Sequence, residues 1–488
     1  MAMFLAVLAA MTAVSCSDDD SFSASPSNVL SFETDTLSLD TVFATVPSPH
    51  KQFKVYNNSG DGIRIVNARL EKGNQMGFRV NVNGSELSPL YGYQATDLEL
   101  RKGDSLRVFV ELTSVATEDT LPRFLDDNII FSLESGVSQK VNLNAYSWNA
   151  LFMRNVMIDK DTVLSNLGGR PIVVYDTIRV NPGATLNIAP GTTMYFHDGA
   201  GISVGGRLVA KGTKDEEILL RCDRLDRMVS NLTYDNNPGQ WGGISIDSTS
   251  FENELDYVEI HGATSAIVCD SSVDATRRKL TLTHSTLHNL KGFGIHAMQA
   301  DIKIENTQIS NAFAGCLTVY GGNIDINNST IVQYYPFDAR RGSAISYYSM
   351  LGDKPYPLTM SVRNSIVKGY ADDVLVWSYD TLENNRNVTF DNSLLRTIKP
   401  DDKDSLMFVN SMIEDVTDTL TNGRNSFVLF DTDNFFYDFT PVEGSPAIGT
   451  ANPQTALPDD RRGRARSKEA PSMGCFEVEK KEEEVKND

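Results

Sequence analysis

The chain is poor in the residues that most binding chemistries draw on. It has six histidines and five cysteines in 488 residues. Lys and Arg number 44 against 64 Asp and Glu, a formal charge of −20. Phosphate recognition needs clustered cations, so nucleic acid is excluded as a partner. Beyond the first residues no apolar run is long enough to span a bilayer. No phosphate loop, nucleophile motif or cofactor fingerprint is present, and no cofactor is expected. Cys222, Cys269 and Cys316 stand 47 residues apart. On a stacked chain that is beyond disulfide reach, so these three and Cys475 are expected as buried free thiols. No close Cys or His pair has metal-ligand spacing, and no metal is expected.

What the chain does have is a repeat. Leu280, Leu282, His284, Ser285 and Leu287 set a pattern that returns as Ile302, Ile304, Asn306, Thr307 and Ile309. It returns again at Ile324 to Ile331, at Met360 to Val367 and at Val388 to Leu395. From one Asn or His to the next the spacing is 22, 22, 36 and 28 residues, the length of a solenoid coil and not of a domain. The period within each unit is two, so the units are strands with Ile, Val and Leu facing inward. Asn306, Asn328, Asn364 and Asn392 share the inward parity, and a structural ladder of amides bonded to one another is expected. Such stacking needs parallel coils in register, ~4.8 Å apart. The expected fold is a right-handed parallel β-helix over residues 150–476.

Residues 30–148 read differently, as short alternating runs without a common period. Phe53-Lys54-Val55-Tyr56, Phe78-Arg79-Val80-Asn81-Val82 and Leu106-Arg107-Val108-Phe109-Val110 are strand candidates, with Asn83-Gly84 a turn between two of them. About seven strands in such a span predict an immunoglobulin-like β-sandwich, making the whole chain all-β. Open solenoid edges need cover, so the sandwich is expected at one end and the segment 427–476 as a cap at the other. Residues 477–488 form a charged tail.

Phe4 to Val14 form an apolar stretch of signal-peptide length, although Met1-Ala2-Met3 lacks the usual basic residue. Ala13-Val14-Ser15-Cys16 resembles a bacterial lipobox. That resemblance implies removal of 1–15 and acylation of Cys16, with several chains on one residue giving a firm anchor. Residues 16–29 then form an acidic, Ser-rich tether. Ser17-Asp18-Asp19-Asp20 is similar to the export signal of Bacteroidetes surface lipoproteins, which implies an outer-membrane, cell-surface location. Phe32-Glu33-Thr34-Asp35-Thr36-Leu37 and Gly206-Arg207-Leu208-Val209-Ala210 resemble a family of such lipoproteins. Gly444-Ser445-Pro446-Ala447-Ile448 and Pro471-Ser472-Met473-Gly474-Cys475-Phe476-Glu477 look like that family's closing elements. In the family a β-helix follows an immunoglobulin-like domain. Its motifs are structural and specify no activity.

Many β-helices cut acidic polysaccharides, which makes carboxylate pairs the first candidates for catalysis. Asp372-Asp373, Asp401-Asp402 and Asp459-Asp460 are neighbours whose side chains point apart on a strand. No catalytic residue is assigned. His284, His288 and His296 fall within one coil; His284 occupies the ladder position and is read as structural. The ligand-binding candidates are rings beside cations: Tyr334, Tyr335, Arg340, Arg341, Tyr347 and Tyr348 in the longest spacing, with Trp377 and Tyr379 in the next coil. The expectation is a monomeric, lipid-anchored surface protein, non-enzymatic, whose β-helix presents a face to a glycan or to an envelope or host component. A polysaccharide lyase or glycoside hydrolase is the alternative.

Overall fold

The computed structural model describes residues 21–229, 231–274, 276–378, 386–398, 405–414 and 426–478. The leader 1–15, Cys16 and Tyr379 lie outside them. The chain divides into two compact units, Met1–Asn149 and Ala150–Asp488.

The first unit holds two five-stranded sheets. Strand alternation drives their packing: Phe53 and Val55, Val80 and Val82, Leu106 and Val108, Ile129 and Phe131, and Val141 and Leu143 all enter one core. Ser138–Trp148 pairs antiparallel with Arg123–Leu133 and parallel with Thr36–Phe43. Among the described residues ten strands stand where about seven were expected, and two of them, Ser31–Phe32 and Ser85–Glu86, are only two residues long.

The second unit is a parallel β-helix. Its strands fall into three columns, two of which join in a 17-stranded sheet while the third is an 11-stranded sheet. Inward residues stack in rows: Leu280 pairs with Ile302, Ile302 with Ile324, Ile324 with Met360 and Met360 with Val388. A continuous core runs from Ile158 to Met407, and its lining apolar side chains are almost all fully buried. The thiols of Cys222, Cys269, Cys316 and Cys475 are buried and unpaired. Burial pushes the first three up to about 12 and Cys475 up to about 11.

At the corner between the second and third columns the backbone turns left-handed. His284, Asn306, Asn328, Asn364, Asn392 and Asn410 have φ between 43° and 50°. The first five donate their backbone N–H to the coil above, as from Asn306 to the Asn327 carbonyl and from Asn364 to that of Asp391. Asn tolerates this conformation better than other residues with a side chain, which explains its recurrence. The expected side-chain ladder holds at one step, where Asn306 Nδ2 lies 3.1 Å from His284 Nε2, and is corrected at Asn328 and Asn364, whose amides bond other groups. Asn364 donates to Asn327 Oδ1 at 2.9 Å and Thr455 Oγ1 at 3.0 Å, while Asn328 Oδ1 accepts from the Leu457 amide.

The hydroxyls one residue later form the continuous inner ladder. The amides of Ser285, Thr307, Ser329, Ser365 and Ser393 donate in turn to the hydroxyls of Thr307, Ser329, Ser365, Ser393 and Ser411. Each of the hydroxyls from Ser285 to Ser411 also donates to the carbonyl two residues earlier in its own coil. This satisfies the N–H groups that the corner would otherwise strand in the core.

The cap expectation is also corrected. Phe427–Asp431 and Phe436–Pro441 form a hairpin that packs on the outer face of the third column, where Val332, Ile366 and Leu394 offer apolar cover. Residues 443–478 then run along the corner as a lateral strap, reaching Glu217 through Arg461 and Asn364 through the Gly474 amide. The apolar outer face and the unbonded corner amides are what draw this segment to the flank.

Candidate functional site

The expected aromatic face does not assemble. Tyr334, 1% exposed, lies in a cluster with Tyr370, Phe427, Phe430 and Phe439. Tyr347, also 1% exposed, pairs in register with inward Val319, and its ring stacks on Trp377 at 5.8 Å. Tyr335 is buried between Phe313 and Phe337. Arg341 is held by the Tyr335 carbonyl at 2.8 Å and lies 4.4 Å over the Tyr370 ring. Arg340 is exposed and paired with Asp338 at 2.7 Å. Of the candidate rings among the described residues, Tyr348 alone faces outward, stacked on Tyr320 at 4.8 Å. Parity decides this: in Ile345–Tyr348 one tyrosine must enter the core and the next must leave it.

The three histidines of one coil also separate. His284 sits at the corner with Asp256, and His296 lies on the first column between Phe293 and Tyr320. His288 faces out from the third column. Asp372 is bound by Arg396, and Asp373 by Thr397 and the Leu375 amide. Asp460 accepts from the amides of Arg462, Arg464 and Glu477 and serves as a turn anchor.

What the coil does assemble is a cluster around His288. Val258–His261 pairs in parallel with Thr286–His288, placing Glu259 beside Thr286 and His261 beside His288. The inward residues Ile260 and Leu287 fix the register, so Glu259, His261 and His288 share the outer face. Gln308–Ser310 continues the same column, with Gln308 beside Thr286. Trp241 Nε1 donates to the His261 carbonyl at 2.8 Å, and its ring stacks on Phe196 at 4.3 Å, which pins the strand from beneath.

His261 is 4% exposed and sits between two carboxylates. Its Nε2 meets Asp235 Oδ1 at 2.7 Å, and its Nδ1 lies 3.0 Å from Glu259 Oε1 without the alignment of a hydrogen bond. His288 Nε2 reaches the same Glu259 oxygen at 3.2 Å. Arg221 holds Asp235 at 2.8 Å. Burial opposes a charge on His261, but Asp235 and then Glu259 prevail and raise it to about 9. Glu259 is also opposed by burial, yet the two histidines hold it well below the usual carboxylate range.

A cavity of about 250 Å³ opens over this cluster. Glu259, Thr286, His288, Gln308 and Asn236 supply polar groups, and Phe435, Phe436, Tyr437 and Phe439 of the hairpin form an aromatic wall. Phe435 turns the hairpin at φ 60°, a conformation bulky residues avoid. Phe436 is 59% exposed. The cluster was hidden in sequence because His288 lies a full coil from His261, and because Tyr257 replaces Asn or His at that corner. The usable signal is the shared parity of Glu259, His261, Thr286 and His288 once the coil containing Tyr257 is aligned with the next.

No family model matches the chain, and no curated protein matches it. Among solved structures, the Agl-KA catalytic domain aligns at 13% identity over 72% of this chain and 76% of that one, with a TM-score of 0.19. A family 123 glycoside hydrolase from Clostridium perfringens aligns at 10% identity over 30% of this chain and 38% of its own, with a TM-score of 0.18. The Vibrio cholerae VesB protease aligns at 16% identity over 25% and 32%, with a TM-score of 0.17. Similarity at this level carries no argument about fold or function.

Proposed function

We propose that this chain is a lipid-anchored surface protein that binds a glycan, without cleaving it, on the flank of its β-helix. The observation that carries the binding reading is the cavity in which the rings of Phe435, Phe436 and Tyr437 stand beside Asn236, Thr286 and Gln308. Flat apolar faces next to amide and hydroxyl groups match the two sides of a sugar ring. Both carboxylates of the cluster are held in charged form, Asp235 by His261 and Arg221 and Glu259 by its two histidines. A glycosidase acid needs the opposite shift, so the pair suits binding rather than hydrolysis. Anchoring through Cys16 and display at the cell surface rest on the lipobox and on the resemblance to Bacteroidetes surface lipoproteins.

A glycan array probed with the soluble chain from Ser27 onward tests this. Binding is expected without new reducing ends or unsaturated uronic acid products, and Phe436→Ala with Gln308→Ala weakens it at least tenfold, about 1.4 kcal/mol. Product formation would establish the lyase or hydrolase alternative, and binding that survives both substitutions would remove the cavity as the site.

A further inference from the structure

We infer that Glu259, His261 and His288 form a site for one divalent transition-metal ion, with Zn²⁺ as the first choice. One ligand atom from each lies within 4.8 Å of the other two. All three come from two paired strands with no loop between donor positions, since Glu259 and His261 are alternate residues of one strand and His288 is the register partner of His261. Ligands ~2.1 Å from a tetrahedral ion lie roughly 3.4 Å apart. The Glu259 oxygen is already 3.0 Å from His261 Nδ1 and 3.2 Å from His288 Nε2, so small rotations of the side chains suffice.

The surroundings of His261 point the same way. A metal-bound imidazole usually gives its second N–H to a carboxylate, which sets the tautomer and the ring orientation. Asp235 occupies that place on Nε2 at 2.7 Å, and Arg221 fixes Asp235 in turn. This leaves Nδ1 as the ligand atom, and Nδ1 is buried with no hydrogen bond aligned to it. That nitrogen already faces Glu259 Oε1 at 3.0 Å, and it would release its proton to solvent when the ion binds.

Two imidazoles and one carboxylate select Zn²⁺ and its transition-metal neighbours over Ca²⁺ and Mg²⁺, which prefer oxygen alone. Arg221 offsets the charge of Asp235, so the ligand set brings the single negative charge of Glu259. Glu259 and His288 also line the cavity, so the remaining coordination positions open onto space that water or a ligand oxygen can enter. Three protein ligands and an open position describe an accessible metal site rather than a closed structural one. The inference stands on this geometry whether or not a glycan enters the cavity.

The test uses the untagged chain from Ser27 onward, stripped with a chelator and titrated calorimetrically with Zn²⁺ alone. Retained metal is counted after gel filtration. One equivalent is expected, and Asp235→Asn, which keeps the shape but weakens the orienting carboxylate, lowers affinity roughly 10–100-fold. His288→Ala is expected to abolish stoichiometric binding while the far-UV circular dichroism stays that of the parent, and His284→Gln leaves binding unchanged. Co²⁺-loaded protein should show visible absorption that His288→Ala removes. Failure of the stripped protein to take up Zn²⁺, Co²⁺ or Ni²⁺ overturns the inference, as does full uptake by folded His288→Ala and Glu259→Gln variants. Glycan binding measured with chelator present reads the proposed function separately.

Discussion

Arg466 donates to Oδ1 of Asn306 at 2.9 Å across 160 residues of sequence, joining the strap to the corner of the β-helix. The same guanidinium donates to the carbonyls of Asp459, Ser472 and Gly474 and pairs with Glu477 at 3.2 Å. The side chains of Arg466 and Glu477 are 1% and 2% exposed. One buried cation thus organises the strap and binds it to the corner of the β-helix.

Arg466→Ala is expected to destabilise the β-helix unit by about 3–5 kcal/mol, because it leaves Glu477 buried and unpaired and strands three carbonyls. Urea unfolding followed by tryptophan fluorescence reads the loss, Trp241 reporting on the β-helix unit and Trp148 on the sandwich. A change under 1 kcal/mol would show that the strap is held instead by the apolar packing of its Met473 and Cys475 in the cluster with Ile366 and Phe439.

Ser365→Ala removes the acceptor of the Ser329 amide and leaves that N–H buried. The expected loss is about 1–3 kcal/mol. Ser365→Thr should recover most of it, since the Thr307 hydroxyl holds the equivalent place, accepting from the Ser285 amide and donating to the Glu305 carbonyl. Equal damage from both substitutions would contradict the hydroxyl ladder.

His284 gives the chain a pH dependence of defined sign. Burial opposes its charge, but the hydrogen bond and charge of Asp256, with help from Asp459, raise its pKa above the ordinary value. Tyr257 stacks on the ring at 4.6 Å and adds no charge. A raised folded-state value contributes stability that is fully present below the unfolded value of ~6.5 and is lost as pH rises through the folded value. His284→Gln should therefore destabilise the chain more at pH 5.5 than at pH 9. An equal effect at both would mean that the imidazole stays neutral in the corner.

The chain's own order made the rows of the core legible. Ile302, Ile324 and Met360 could be aligned because the same run of two apolar residues and an Asn returns in each coil and the period within a strand is two. Asn306 and its equivalents marked the corners for a local reason, their tolerance of a left-handed backbone. The direction of their amides was not local. It depends on a positive φ that reverses the apparent parity, and on a strap that supplies partners 88 to 160 residues downstream.

The candidate site divides along the same line. His288 stood out as a histidine on the coil, but its partners Glu259 and His261 lie one coil earlier and the hairpin wall about 150 residues later. Tyr334 and Tyr347 carried the opposite lesson: their rings suggest a binding face until the strand register and the hairpin bury them.

Sequence alone determined that the chain would wind into stacked parallel strands, because inward Ile, Val and Leu at a period of two leave no other way to bury them in a repeating coil. Tertiary structure decided which polar groups meet. Neighbours in a β-helix are a full turn apart in sequence, so the contacts that make the site depend on the length of every coil and on where the strap and hairpin come to rest.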